Sequence, residues 1–467
     1  MSIKQLRDKF LSNELNIKDY YEKLIKRIED SKDLNIFITF DKEDILRQIE
    51  KIENEEKKGK LYGIPVTLKD NISYKNLKMT CGSKILKDFI PVFDSTVTKR
   101  LIEEGAVILG KVNMDEFAMG SSSETSFFGV TKNPLDTKLI PGGSSSGSAA
   151  AVAHDIGLFS LGSDTGGSVR QPAQYCNVIG YLPSYGTISR SGVVSMANTL
   201  DQVGILTKEV EDIIEVINVI GGNDKKDMTS TLKKELNFKI NENYSLSDKK
   251  IGIIELKPFD IDPIVEKDYK EGLKKLEELG AKLVNLDFKY LKYSTSLYSV
   301  INSCEASSNM SRFDGIRYGY ITEDYKDTKE LYTKTRSEGF GEEVQRRIAL
   351  GTMFLASDSN QETYIQAEKV RRLMSEEFEN KFKEVDFIVT PTATNLPYEI
   401  GTRTDDPLAM YDSGTFNVPA NLCGLCSISI PVRDGISGSL QFIAKRFDDE
   451  NMLNAAYKLE RSIRNEL

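Results

Sequence analysis

IGIIELKPFDIDPIVEKDYKEGLKKLEELGAKLVNL, residues 251–286, decides the fold class. Ile251 to Leu256 is a short apolar run that reads as a strand. Residues 263–279 place apolar and charged side chains at helical spacing, and Ala281 to Leu286 is a second strand. The three together form a βαβ-like unit. The same alternation extends outward in both directions, which makes the chain α/β. Upstream, Leu6 and Phe10, then Tyr20, Leu24 and Ile28, mark one or two amphipathic helices. Asn35 to Phe40 reads as a strand, and 42–58 as a helix with Ile45, Ile49 and Ile52 on one face. Gly63 to Leu68 is a strand, 95–104 a helix, Ala106 to Gly110 a strand and 209–220 a helix. Downstream come a long charged helix over 361–384 and strands at 386–390, 427–432 and 439–444, with a closing helix over 448–464. Residues 222–250 are the most polar stretch and read as a surface excursion or as a boundary between two lobes. There is no internal repeat and no low-complexity tail.

Composition narrows the function classes. The chain has 467 residues, a formal net charge of −9 with both signs interspersed, and 39% hydrophobic residues. An acidic surface of this kind argues against a large nucleic-acid face, so any nucleic-acid role is expected through a partner. The N-terminus is charged throughout and lacks the apolar core of a signal peptide. No run approaches the ~18 apolar residues of a membrane span. A cytoplasmic location is the expectation. Five scattered cysteines argue against a disulfide framework. Cys423 and Cys426 form one CxxC, but a zinc site needs further ligands and the chain has a single histidine, His154. The pair reads as two small residues in an apolar segment, and no metal is expected.

The chemistry gathers in three places. YGIPVTLKDN at 62–71 ends an apolar strand on Lys69, and in open α/β sheets ligands bind at that end of a strand. PGGSSSGSAAAVAH at 141–154 and LGSDTGGSVRQPA at 161–173 are two glycine-serine elbows, the first leading into a tightly packed helix that starts near Ser146–Ser148. Between strand and elbows, 118–148 is rich in Gly, Ser and Thr, the kind of long irregular stretch that is more often functional than a linker. A serine hydroxyl needs a base to take its proton. The residues themselves leave two: His154, placed on a helix among alanines with no orienting carboxylate nearby, and Lys69. A lysine serves if burial lowers its affinity for the proton by about three units, roughly 4 kcal/mol. In Asp164-Thr165-Gly166-Gly167-Ser168 the glycines permit a turn whose backbone N–H groups converge on one point. The N–H groups of Thr165, Gly166 and Gly167 can there hold an oxyanion while Ser168 attacks a carbonyl. An ordinary turn and a phosphate loop are the alternatives, although no GK[ST] follows and GxSxG is absent.

These motifs resemble the amidase signature family, whose pattern is a lysine, GGSSGGS, and a D-x-GGS-x-R-x-P block. The lysine, a serine on a cis peptide and the nucleophilic serine of that pattern fall on Lys69, Ser144 and Ser168, separated by 75 and 24 residues. The resemblance covers nearly the whole chain, 1–467, with the signature core at about 60–210. It implies a single large domain built on a central mixed β-sheet covered on both faces by helices. SCEASSNMSRFDGIRYG (303–319), GFGEEVQRRIALG (339–351), TDDPLAMY (404–411) and LQFIAKRFDDE (440–450) are similar to the A subunits of tRNA-dependent amidotransferases. That branch implies ammonia release from glutamine, B and C subunits completing a heterotrimer, and tRNA met only through the partner. It implies no cofactor in this subunit, ATP and Mg²⁺ belonging to the partner's step. Another small amide as substrate of a stand-alone amidase is the alternative. The branch's glutamine-binding positions fall on Tyr298 and Arg347. Three positions depart from the pattern. Ser146 stands for a glycine, and Leu182 for a lysine. Gly414 stands for the acidic residue at the substrate's α-amino group, which leaves Asp412, two residues earlier, as the candidate for that contact.

Overall fold

The computed structural model describes residues 1–55, 58–232, 235–356, 362–403 and 413–465. One sheet of eleven strands organises them, in the order β1-β3-β2-β4-β6-β5-β10-β11-β9-β7-β8. In chain order the strands are β1 Phe37–Phe40, β2 Pro65–Lys69, β3 Val107–Val112, β4 Phe159–Asp164, β5 Ile179–Leu182 and β6 Gln202–Thr207. They continue with β7 Lys250–Ile254, β8 Lys282–Leu286, β9 Phe387–Pro391, β10 Cys426–Pro431 and β11 Ser439–Ala444. The sheet is mixed: β3, β2 and β4 run parallel, the middle from β4 to β9 is antiparallel, and β9, β7 and β8 are parallel again. Every residue of β2, β3, β4, β5, β6 and β9 is buried, so helices cover both faces. The edge strands β1 and β8 are partly exposed.

The unit at 251–286 forms as its sequence implies. β7 and β8 pair in parallel and the helix Pro263–Glu278 crosses between them. Asp262 caps that helix by accepting from the Ile264 N–H, and Pro263 opens it, where a missing N–H is harmless. The stretch 222–250 does not divide the chain into lobes, because β7 rejoins the sheet that β6 had left. Its backbone is held along two helices: Phe238 N–H donates to Asn218 Oδ1 (2.8 Å) and Asn241 N–H to Asn454 Oδ1 (2.6 Å). Leu236, Phe238, Ile240 and Tyr244 pack against the main core from this otherwise polar segment.

Hydrophobic patterning marks no strand at β4, β5 or β6, because β5 is only four residues long and β4 and β6 interrupt their apolar residues with Ser, Asp, Gln and Thr as well as a glycine. The glycines of these three strands form a shelf. Added Cβ atoms at Gly162 and Gly204 would sit 2.8 and 2.9 Å from Val169 Cγ2, and one at Gly180 2.7 Å from Ala173 Cβ. The absence of side chains lets the segment after the second elbow lie directly on the sheet. No helix among the described residues is long and apolar enough to cross a membrane.

Candidate active site

The parallel pairing of β2 with β4, Leu68 opposite Leu161, brings the carboxyl ends of both strands to the same side of the sheet. Lys69 ends one strand and Asp164 the other. Lys69 is fully buried, and its Nζ lies 2.7 Å from Ser144 Oγ, 3.0 Å from Ser145 Oγ and 3.1 Å from the Ser163 carbonyl oxygen. The Ser163 carbonyl can only accept. Ser145 Oγ lies 3.2 Å from that carbonyl and donates to it, leaving the Ser145 oxygen to accept from the amine. A neutral amine has two N–H bonds and one lone pair. With both N–H bonds so used, the lone pair faces the Ser144 hydroxyl. Burial lowers the Lys69 amine from 10.5 to about 7, against the pull of the Asp115, Asp164 and Asp201 carboxylates toward the charged form.

Ser144 follows a cis Gly143–Ser144 peptide. Gly143 N–H donates to Gln171 Oε1 (2.9 Å), and Asp115 N–H to the Ser144 carbonyl (3.3 Å). Only glycine fits at 143, since a Cβ would lie 2.0 Å from Asp115 Oδ2. The two elbows are joined directly: Ser145 N–H donates to the Ser168 carbonyl (3.1 Å). Ser146 keeps a hydroxyl where the family pattern has glycine by donating to the Asn113 carbonyl (3.3 Å).

The second elbow is built around the buried Asp164 carboxylate. It accepts from Gly167 N–H (2.7 Å), Val169 N–H (3.0 Å), Arg170 Nε (3.1 Å) and Arg170 Nη2 (3.0 Å). Arg170 completes its fork on the Asn417 carbonyl (3.0 Å), Gln441 Oε1 (2.7 Å) and Asn421 Oδ1 (2.6 Å), so all five of its N–H groups are used. Burial works against the Asp164 carboxylate, but the arginine and the two backbone N–H groups win and hold it below the usual carboxylate range. One expectation is corrected here. Gly167 N–H is directed at Asp164 and serves the turn, so it is not an oxyanion donor; the Thr165 and Gly166 N–H groups stay in that role as candidates, joined by that of Ser168.

Ser168, Gly166, Gly167, Tyr298 and Arg347 line one cleft together with Ser413 and Gly414. Tyr298 comes from the helix Ser294–Met310 and its ring lies against the turn, where a Cβ on Gly166 would meet Cε2 at 2.7 Å. Arg347, from the helix Glu342–Leu355, is 3% exposed. Its Nε donates to Glu343 Oε1 (2.7 Å) and its Nη1 to Asn302 Oδ1 (2.8 Å). Asp412 lies outside the described residues. Leu182 ends β5, buried opposite Ser427.

Residues expected elsewhere stay elsewhere. His154 closes the helix Ser146–Ala153, half-buried, with burial and Arg27 lowering its affinity for a proton; it does not line the cleft. Cys423 ends the helix Val418–Cys423 and Cys426 opens β10. No cluster of three or more His, Cys, Asp or Glu suited to a metal occurs among the described residues. The sequence reading gave no role to Asp115, Ser145, Asp164, Arg170, Gln171 or Asp201. For Asp164 and Arg170 the signal was present in the spacing of DTGGSVRQP; for Asp115 and Asp201 there was none.

The Amidase family model matches residues 19–453. The A subunit of the glutamyl-tRNA(Gln) amidotransferase of Thermoanaerobacter pseudethanolicus is 43% identical over 469 residues, which cover 99% of this chain and 96% of that protein. The protein of the same name from Clostridium botulinum is 43% identical over 468 residues, covering 98% and 96%. Among solved structures, the corresponding A subunit from Thermotoga maritima superposes with a TM-score of 0.79 at 40% identity, over 94% of this chain and 90% of that one. A bacterial aryl acylamidase at 22% identity shares the fold, with a TM-score of 0.86 over 99% and 96% of the two chains. By the extent of that match and by the lysine and serines gathered at the ends of β2 and β4, the chain belongs to the amidase family.

Proposed function

We propose that the chain is the glutamine-hydrolysing A subunit of a tRNA-dependent amidotransferase. It releases ammonia from glutamine, and a partner B subunit, clamped by a small C subunit in a heterotrimer, uses that ammonia with ATP and Mg²⁺ to convert Glu-tRNA(Gln) to Gln-tRNA(Gln). tRNA is met only through the partner, and the setting is the cytoplasm. This subunit needs no cofactor. The observation that carries the reading is the buried Lys69 amine, 2.7 Å from Ser144 Oγ, at the elbow joined to the one bearing Ser168. The relatives bearing that name support the choice of substrate.

Neutral Lys69 takes the Ser144 proton as Ser144 takes the proton of Ser168. Ser168 Oγ forms a bond to the amide carbon, and the N–H groups of Thr165, Gly166 and Ser168 face the oxyanion. The C–N bond breaks, ammonia leaves with a proton returned through Ser144, and water then hydrolyses the acyl-enzyme. Arg347, fixed by Glu343 and Asn302, grips the substrate carboxylate. Tyr298 walls the turn, and Asp412 is the carboxylate proposed for the α-ammonium.

Gly414, in the cleft where the family places an acidic residue, favours a second reading: a stand-alone amidase acting on another small amide. One assay separates the two, ammonia release from glutamine and from simple amides, with and without candidate B and C subunits. Partner-stimulated turnover of glutamine is the expected result. Turnover of simple amides alone supports the second reading, and a Ser168→Ala protein with full activity overturns both.

A further inference from the structure

Asp201 leads into β6 and is buried, yet no arginine or lysine forms an ion pair with it among the described residues. Instead its carboxylate ties two walls of the site together. Oδ1 accepts from the Thr165 hydroxyl (2.7 Å), in the turn that carries Ser168. Oδ2 accepts from Met196 N–H (2.8 Å) and Ala197 N–H (2.9 Å). Met196 in turn touches Arg347, with its sulfur 4.0 Å from Nη1, and its carbonyl receives Asn309 Nδ2 (3.0 Å) from the helix that bears Tyr298. One buried carboxylate therefore spans from the nucleophile turn to the side of the cleft lined by Arg347 and Tyr298.

We infer that Asp201 is a positioning residue for acylation: it clamps Thr165, and with it the nucleophile turn, to the wall that holds the substrate. The inference rests on the serine chemistry proposed above. A buried carboxylate is costly unless its oxygens are hydrogen-bonded, and these three bonds meet that demand only in the observed arrangement of both walls. The groups that face the Asp201 carboxylate are Arg190, Tyr185 and Lys69. Those that face the Lys69 amine are Asp115, Asp164, Asp201 and Cys81. The negative charge of Asp201 favours the charged form of Lys69, so its removal makes the amine easier to deprotonate.

The test follows acylation of Ser168 in the full-length protein by p-nitrophenyl acetate, read as intact mass against time and pH. That readout does not depend on glutamine being the natural substrate. Asp201→Asn is expected to slow acylation about tenfold at pH 8, the cost of one broken charge-assisted hydrogen bond, and to move the lower limb of the pH profile to lower pH. Thr165→Val, which loses the bond but keeps the carboxylate, should show the slowing with a smaller displacement of the limb than Asp201→Asn, and Thr165→Ser, which restores a hydroxyl, should acylate faster than Thr165→Val. An Asp201→Asn protein that acylates at the wild-type rate, or whose limb stays or moves to higher pH, overturns the inference. If that variant does not fold, wild-type acylation by Thr165→Val overturns it alone. A wild-type protein that acylates from the ester but releases no ammonia from glutamine, with or without the B and C subunits, would refute the proposed substrate and leave the role of Asp201 standing.

Discussion

Lys69→Met should alter the pH dependence of stability in a direction set by the buried amine. A lysine in the unfolded chain titrates near 10.5, and in the fold Lys69 titrates at about 7. Between those values the unfolded chain binds a proton that the folded chain does not, so wild-type stability rises with pH across the window. Below pH 7 both states bind it and the whole penalty for a buried ammonium applies, about 5 kcal/mol for a gap of about 3.5 units. At pH 9 the folded amine is neutral and about 2 kcal/mol of the penalty remains. Methionine has no such dependence. The lost contacts to Ser144, Ser145 and the Ser163 carbonyl weaken the variant by the same amount at both pH values, so they cancel in the comparison. The stability of the variant relative to wild type should therefore fall by about 3 kcal/mol between pH 6 and pH 9. For a chain of this length that is a change of about 3 °C in the difference between the two melting temperatures, measurable by calorimetry. A difference that is constant with pH, or that grows in the variant's favour as pH rises, would refute the buried neutral amine.

Acylation should follow the neutral fraction of the same amine, giving a rate about tenfold lower at pH 6 than at pH 8 from a group titrating at about 7. Arg170→Lys should lose activity without touching the cleft, because one ammonium cannot replace five fixed N–H groups, and should cost about 3–5 kcal/mol in denaturant unfolding. Arg347→Ala should raise KM for glutamine while leaving ester acylation of Ser168 within about twofold of wild type, since the ester has no carboxylate for it to hold. Gly143→Ala should yield an inactive or unfolded protein, as judged by circular dichroism and acylation, because its Cβ would fall 2.0 Å from Asp115 Oδ2.

Much of the fold was legible wherever hydrophobic periodicity was strong. The unit at 250–286, the strands flanking Lys69 and the closing pair β10 and β11 lie within a residue or two of their expected bounds. It was hidden where packing overrode pattern. In β4, β5 and β6 the glycines permit close approach of the segment after the second elbow, and their short or polar-interrupted apolar runs weaken the signal that marks a strand. The helix bearing Arg347 buries a single large apolar side chain, Val344, and the one bearing Tyr298 mixes its buried apolar residues with buried Ser294, Asn302, Ser303 and Asn309, so motif resemblance was the signal there rather than a clean helical stripe. Within the site, Lys69 was legible as a polar residue at the end of an apolar strand, and Ser144 and Ser168 as serines in glycine turns. The Asp115 carboxylate acts through Ser123 N–H and the Thr125 hydroxyl, and that of Asp201 through the N–H groups of Met196 and Ala197 and the Thr165 hydroxyl; these are contacts of irregular loops, which leave no periodic trace in the sequence. Gly167 shows the limit of turn logic: its lack of a side chain implies the conformation it adopts, but its N–H goes to Asp164, three residues back, rather than to the substrate.

One proton carries the mechanism, and ¹⁵N NMR of the lysine side-chain nitrogens observes it directly. The signal of Lys69, assigned by its loss in Lys69→Met, should change from ammonium to amine at about pH 7 in the folded protein. If it remains an ammonium to pH 9 and above while Ser168 still acylates at pH 8, the serine relay starts from some other base and the mechanism is wrong.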